Sequence, residues 1–143
     1  MGPAAGWTLA VLAMALAAGC GQGGLESKVV HGTVTVGGEK VDAGEIRFVP
    51  VDGTPGPTSV GSIVDGRYKI DARGGVPLGK HRVEVEARKK TGRQVEQYDG
   101  FETSLVDETV RVGPEEYAGD ESPLVKKVTA ASDGQIDIDI PAE

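Results

Sequence analysis

Asparagine is missing from this 143-residue chain, and cysteine and tryptophan occur once each, as Cys20 and Trp7. A lone cysteine excludes an internal disulfide and leaves no set of thiolates for a metal. Histidine is scarce too, with His31 and His81 the only two. Nucleophilic catalysis needs a Ser or Cys beside a base and an orienting group, and no Gly-x-Ser-x-Gly elbow occurs. The chain therefore reads as a non-enzyme with no cofactor. Positive charge is in deficit as well: 15 Lys and Arg stand against 22 Asp and Glu, a net charge of −7, and every charged residue lies beyond position 19. An acidic domain repels phosphate, which excludes a nucleic-acid partner and gives no attraction to anionic lipid.

What is present begins with an apolar run from Trp7 to Ala18 that ends in small residues. It is too short to cross a bilayer as a helix and has the composition of a secretory signal, covering residues 1–19. The placement of Cys20 directly after Ala17-Ala18-Gly19 resembles the lipobox of bacterial lipoproteins. Two features depart from the usual pattern: Leu16 stands four residues before the cysteine with Ala17 in the favoured place, and residues 1–6 carry no Lys or Arg. The resemblance implies cleavage before Cys20, a diacylglyceryl group on its sulfur and a fatty acyl chain, such as palmitate, on the new amino terminus. Membrane lipid would then be the first partner, reached through covalent chains. Gly21, where an Asp acts as an inner-membrane retention signal in some bacteria, favours the outer membrane. A plain secretory signal cut near Ala17 or Ala18 is the alternative, as is a start codon set upstream of the true one. Residues 20–27, with Gly21-Gln22-Gly23-Gly24, read as a flexible tether.

From Lys28 onward the apolar period is two. Val30, Val34 and Val36 share a face; Ile46 and Phe48 face inward from Gly44–Val51; a strand near Thr58–Val64 meets Arg67–Ile70 through Asp65-Gly66, a strong hairpin signal. His81–Arg88 alternates strictly, Pro123–Thr129 reads as another strand, and Ile136, Ile138 and Ile140 point in from the last. Twenty-two glycines and eight prolines supply the turns. Seven short strands and no helix predict an all-β fold, a seven-stranded antiparallel β-sandwich over residues 28–143. Lys89–Pro114 is too long for an ordinary hairpin connection and reads as a long loop. Part of it is expected to pack down through Tyr98, Phe101, Leu105, Val110 and Val112, with Thr109–Val112 as a short added strand.

Four stretches share an order: Gly32–Gly38, Ala43–Phe48, Asp65-Gly66-Arg67-Tyr68-Lys69-Ile70, and Val76-Pro77-Leu78-Gly79 running into His81–Val85. Together they resemble the carboxypeptidase regulatory-like domain, a transthyretin-like (prealbumin-like) sandwich found in small bacterial surface lipoproteins. Pro114–Tyr117 followed by Leu124–Val128 is similar to the later part of those proteins. The motif residues are glycines for turns and apolar residues for core, so the resemblance implies a fold and no chemistry. His81 stands where the family usually has Tyr, at the core edge. The fold has an enzymatic branch, the 5-hydroxyisourate hydrolases, whose terminal Tyr-Arg-Gly-Ser is absent here.

Candidate contact residues follow from the one basic cluster, Arg88, Lys89, Lys90 and Arg93, with Tyr98 and Phe101 after it. Such a segment can pair an acidic partner or glycan while the aromatics supply apolar contact; a solvated turn is the simpler reading. His31 and His81 have opposite parities relative to the core, so no shared metal site is expected. Asp137 and Asp139, about 7 Å apart by strand rise, read as a wetted acidic face rather than a calcium site. Arg82, Glu84, Glu86 and Arg88 read as an exposed face of cross-strand pairs. The function expected is a membrane-anchored, non-enzymatic lipoprotein presenting a β-sandwich to an envelope protein or polysaccharide. A carbohydrate-binding protein and an accessory subunit of an envelope enzyme or transport complex are the alternatives.

Overall fold

Period-two alternation becomes strands throughout: β1 (Ser27–Lys28), β2 (Val30–Val36), β3 (Glu39–Lys40), β4 (Ala43–Pro50), β5 (Ser59–Val64), β6 (Arg67–Ile70), β7 (Val76–Pro77), β8 (Gly79–Tyr98), β9 (Thr103–Val112), β10 (Val125–Val128) and β11 (Ile138–Ile140). This computed structural model describes Gly2 and residues 24–143; Cys20 and nearly all of the 1–19 segment lie outside the described residues. Among the described residues there is no α-helix, only 3-10 turns at Ala72–Gly74 and Glu115–Ala118. The chain is all-β.

A curled sheet runs β10-β8-β4-β5-β6-β2-β11, with β3 added to β2 and β9 to β8, while β1 and β7 form a separate two-stranded ladder. β1, β3, β7 and β9 are additions to the seven strands the alternation predicts. Pairing is antiparallel with one correction: β11 runs parallel to β2, placing Ile138 opposite Val34 and Ile140 opposite Val36. The reason is the crossover. After β10 the chain crosses to the His31 end of β2, where His31 N donates to Gly134 O at 3.0 Å and Ile136 N donates to His31 O at 2.8 Å. From there it can only travel in the direction of β2.

The curl buries the inward residues of β2, β4, β5, β6, β8 and β11 against each other: Val30, Val34, Ile46, Phe48, Ile63, Tyr68, Ile70, Val83, Val85, Ile138 and Ile140. Phe48 sits at the centre, its ring 6.2 Å from that of Tyr68 and 6.1 Å from His81. The buried Tyr68 hydroxyl donates to Ile136 O at 2.6 Å, which ties the β5–β6 hairpin to the segment leading into β11. Burial pushes this phenol well above its ordinary pKa. Gly44, at φ +149°, lies where a Cβ would enter the carbonyl oxygen of Glu86, so β4 and β8 approach this closely only through glycine.

His81 lies fully inside, deeper than a core edge. Its Nδ1 is 3.1 Å from Gly79 O, the contact of an Nδ1–H donor, while Nε2 has no partner. Burial holds its pKa below 6.5, with the Gly79 bond opposing the shift. The folded state thus binds a proton less readily than the unfolded chain. Stability from neutral His81 is complete above pH 6.5 and is lost as pH falls toward the depressed folded value. The thermal midpoint is expected to drop between pH 7 and 5, and His81→Phe should flatten that interval. An unchanged slope in the variant would assign the drop to other groups.

Three further expectations are corrected. Lys89–Pro114 is not a loop: β8 continues to Tyr98 and β9 returns from Thr103. Nor do Tyr98, Phe101 and Leu105 pack down; they are 68%, 92% and 63% exposed. The ribbon stands in water on both faces, so neither face needs an apolar stripe and the period-two signature is absent. Glu84 is buried rather than exposed. The segment after β9 folds across that face, with Ala118 O accepting from Arg47 Nη2 at 3.3 Å and Ser122 Oγ donating to Val83 O at 2.5 Å. Beneath it the Glu84 carboxylate lies between Arg47 at 3.4 Å and Arg82 at 2.8 Å, the paired arrangement a buried charge requires.

Candidate functional site

Inside the sheet β8 is flanked by β4 on one side and β10 on the other. The β4 pairing ends at Ala43 opposite Arg88, and from Lys89 outward only β9 accompanies β8. The result is a two-stranded arm projecting past the body. A bulge marks its base: Lys90 pairs with Thr109 and Gln94 with Asp107, leaving Thr91, Gly92 and Arg93 opposite Glu108. Gly92 adopts φ +85°, which releases the extra residues from the ladder. Glu108 gathers them, accepting from Thr91 Oγ1 at 2.6 Å and from Arg93 Nε at 3.0 Å. The Thr91 hydroxyl, followed by Arg93, holds the Glu108 carboxyl below its usual range.

The basic cluster is therefore engaged within the chain. Arg88 meets Glu86 at 3.3 Å and donates to Thr109 Oγ1 at 2.8 Å. Lys89 pairs with Glu39 across from the β2–β3 turn. Lys90 pairs with Asp107 at 2.9 Å, and their hydrogen bond raises the Lys90 pKa and lowers that of Asp107. Arg93 grips Glu108 at 2.8 Å. Each cation that the sequence offers to an acidic partner has a carboxylate of its own, so the structure brings Arg88, Lys89, Lys90 and Arg93 together as the brace of the arm's base.

The far end is arranged differently. Asp99 Oδ1 accepts the backbone N–H groups of Phe101 and Glu102, both at 2.9 Å, and these bonds lower the Asp99 pKa. Tyr98 Oη donates to Gly100 O at 2.8 Å, and Gly100 takes φ +100°. The turn is thus preorganised with Phe101 almost wholly in water. Register puts Tyr98 opposite Thr103 and Leu105 opposite Glu96, so Tyr98 and Leu105 are diagonal neighbours on one face. Glu96, Asp99 and Glu102 make no ion pair among the described residues. The tip is apolar and acidic; the base is cationic and neutralised. A two-stranded ribbon is marginal in water by itself, and this one holds Tyr98, Phe101 and Leu105 out in solvent.

Other sequence candidates are accounted for locally. Asp137 Oδ1 accepts from Thr33 N at 2.9 Å and Thr33 Oγ1 at 3.2 Å, and the backbone bond lowers its pKa. Asp139 Oδ1 accepts from Thr35 Oγ1 at 2.7 Å. These two carboxylates stitch β11 to β2. His31 is exposed and His81 buried, on opposite sides of the sheet, and among the described residues no three His, Cys, Asp or Glu side chains form a metal-binding group. Cys20 lies outside the described residues. Sequence reasoning missed the acidic partners Glu39, Asp107 and Glu108, which are distant or unpatterned in the chain. It also missed the turn at Asp99-Gly100, although this dipeptide is the same hairpin signal as Asp65-Gly66. No family model, curated protein or solved structure matches this chain.

Proposed function

We propose that this chain is a non-enzymatic, lipid-anchored protein of the cell envelope, whose body is a transthyretin-like sandwich of the carboxypeptidase regulatory-like kind and whose hairpin arm contacts another protein. The order of turns and strands and the buried Tyr68 of the Asp-Gly-Arg-Tyr hairpin support the body. The observation that carries the function is the arm, with Phe101, Tyr98 and Leu105 displayed on a braced ribbon. Its direction fits an anchor at Cys20. β1 begins seven residues after that cysteine and pairs with β7, directly before β8. The twenty residues of β8 then lead away for a path of roughly 60 Å to the tip. The β1–β7 ladder and the tip lie at opposite ends of β8, so an anchor upstream of β1 would leave the tip held off the membrane.

Apolar side chains among Glu96, Asp99 and Glu102 fit a partner surface that is an apolar pocket with a basic rim. Replacing Phe101 and Leu105 by serine should remove in-cell crosslinks formed through the tip. Both side chains are exposed, so the thermal midpoint should move little, within about 0.5 kcal/mol of stability. Retained crosslinks in that variant would overturn the contact role.

A further inference from the structure

Beside the β1–β7 ladder, at the opposite pole from the arm, lies a cleft of about 560 Å³. Ile70, buried, lines it together with Pro77, while Leu25 and Val60, each 49% exposed, stand at its mouth. Leu25 and Pro77 close around Gly56: a Cβ there would lie 3.0 Å from Leu25 Cδ1 and 2.7 Å from Pro77 Cγ. Arg73 is the one charged residue among the described lining, and it makes no ion pair among the described residues. Its backbone is held at φ +55°, a left-handed conformation costly for a non-glycine residue. An apolar cavity of this size with one placed charge has the make-up of a small-ligand site.

We propose that this cleft binds a single aliphatic acyl chain, with Arg73 pairing an anionic head at the mouth. Val60, Ile70, Leu25 and Pro77 supply the apolar wall, and the guanidinium offers a forked donor suited to carboxylate or phosphate. The approach of the chain itself points the same way. Gly24 lines the cleft, and Cys20 stands four residues upstream, a reach of at most about 14 Å. An anchor at Cys20 would set the mouth at a lipid surface, where acyl chains are concentrated. The proposal goes beyond the anchoring reading and does not require it, since the lining is present in either case.

The test uses the full chain carrying Cys20→Ser, titrated with nitroxide-labelled stearate and followed by amide NMR. Saturable broadening at Val60, Ala72 and Gly75 is expected, and Val60→Glu, at an exposed position that leaves the fold intact, should abolish it. Arg73→Gln should weaken stearate by about tenfold and leave an uncharged monoacylglycerol unaffected. The acylated chain from membranes distinguishes the source. Broadening there too means a free amphiphile; broadening only in Cys20→Ser means the chain's own acyl group fills the cleft. Absence of broadening in both, or equal binding by Val60→Glu, overturns the proposal. Intact mass reports the Cys20 modification separately, so loss of the anchor and loss of the cleft are told apart.

Discussion

With residues 1–19 replaced by a cleavable secretory signal, substituting Cys20 by alanine should transfer the protein almost completely from the membrane pellet to the soluble fraction. Among the described residues nothing else would hold the chain at a bilayer. Its net charge of −7 repels anionic headgroups, and no helix of the described residues is long and apolar enough to cross a membrane. Each buried methylene contributes about 0.8 kcal/mol, so two chains make attachment stable where a single one is reversible. Intact mass of the native protein should show cleavage before Cys20 and added acyl mass, and the variant, freed of its signal, should show no acyl mass. A variant that stays in the pellet would place the attachment in the folded body. A native chain recovered soluble with a bare thiol would remove the anchor altogether.

Phe48→Ala should cost about 3–5 kcal/mol, a large part of the 5–15 kcal/mol typical of a domain. Phe48 is completely buried and touches both halves of the curl through the rings of Tyr68 and His81. β4, which carries it, is the strand between β8 and β5 and cannot shift to fill the space. Urea denaturation followed by circular dichroism should show a lower midpoint at unchanged slope. Val60→Ser on the neighbouring strand, half-exposed, serves as the comparison and should cost far less. A loss below about 1 kcal/mol for Phe48→Ala would mean that the centre of the core lies elsewhere.

The strands with one wet and one dry face were legible in the chain: β2, β4, β5, β6 and β11, the body of β8, and β10 with a slightly shorter span than expected. Where burial acts on alternate residues, the pattern is written in the residues themselves. The arm was not legible for the opposite reason. Thr91-Gly92-Arg93 interrupts the alternation, and beyond it both faces meet water, so composition loses its period. Glu84 misled in another way. Its alternation with Val83 and Val85 marks it as opposite the core, yet the Glu115–Ser122 segment covers that opposite face.

The candidate contact residues divide along the same line. Tyr98 and Phe101 were visible as aromatics in a polar segment, and the structure places them at the tip. Arg88, Lys89, Lys90 and Arg93 were visible as the basic cluster of an acidic chain. Their partners were not: Glu39 comes from β3, fifty residues earlier, and Asp107 and Glu108 become neighbours only through the ribbon's register. The apolar cleft likewise joins the chain's entry at Leu25, the loop at Pro57 and the turn at Arg73.

By itself the amino-acid order determined the strands of the body, their inward residues, the Asp65-Gly66 turn and the site of the lone thiol. Those properties depend on side-chain chemistry and on neighbours two or three positions away. Tertiary structure decided the parallel seat of β11, the cover over Glu84, the projecting arm, the pairing of its cations and the cleft at the other pole. Each of these requires residues far apart in the chain to meet, and such meetings are set by how the sheet curls and where the hairpins end.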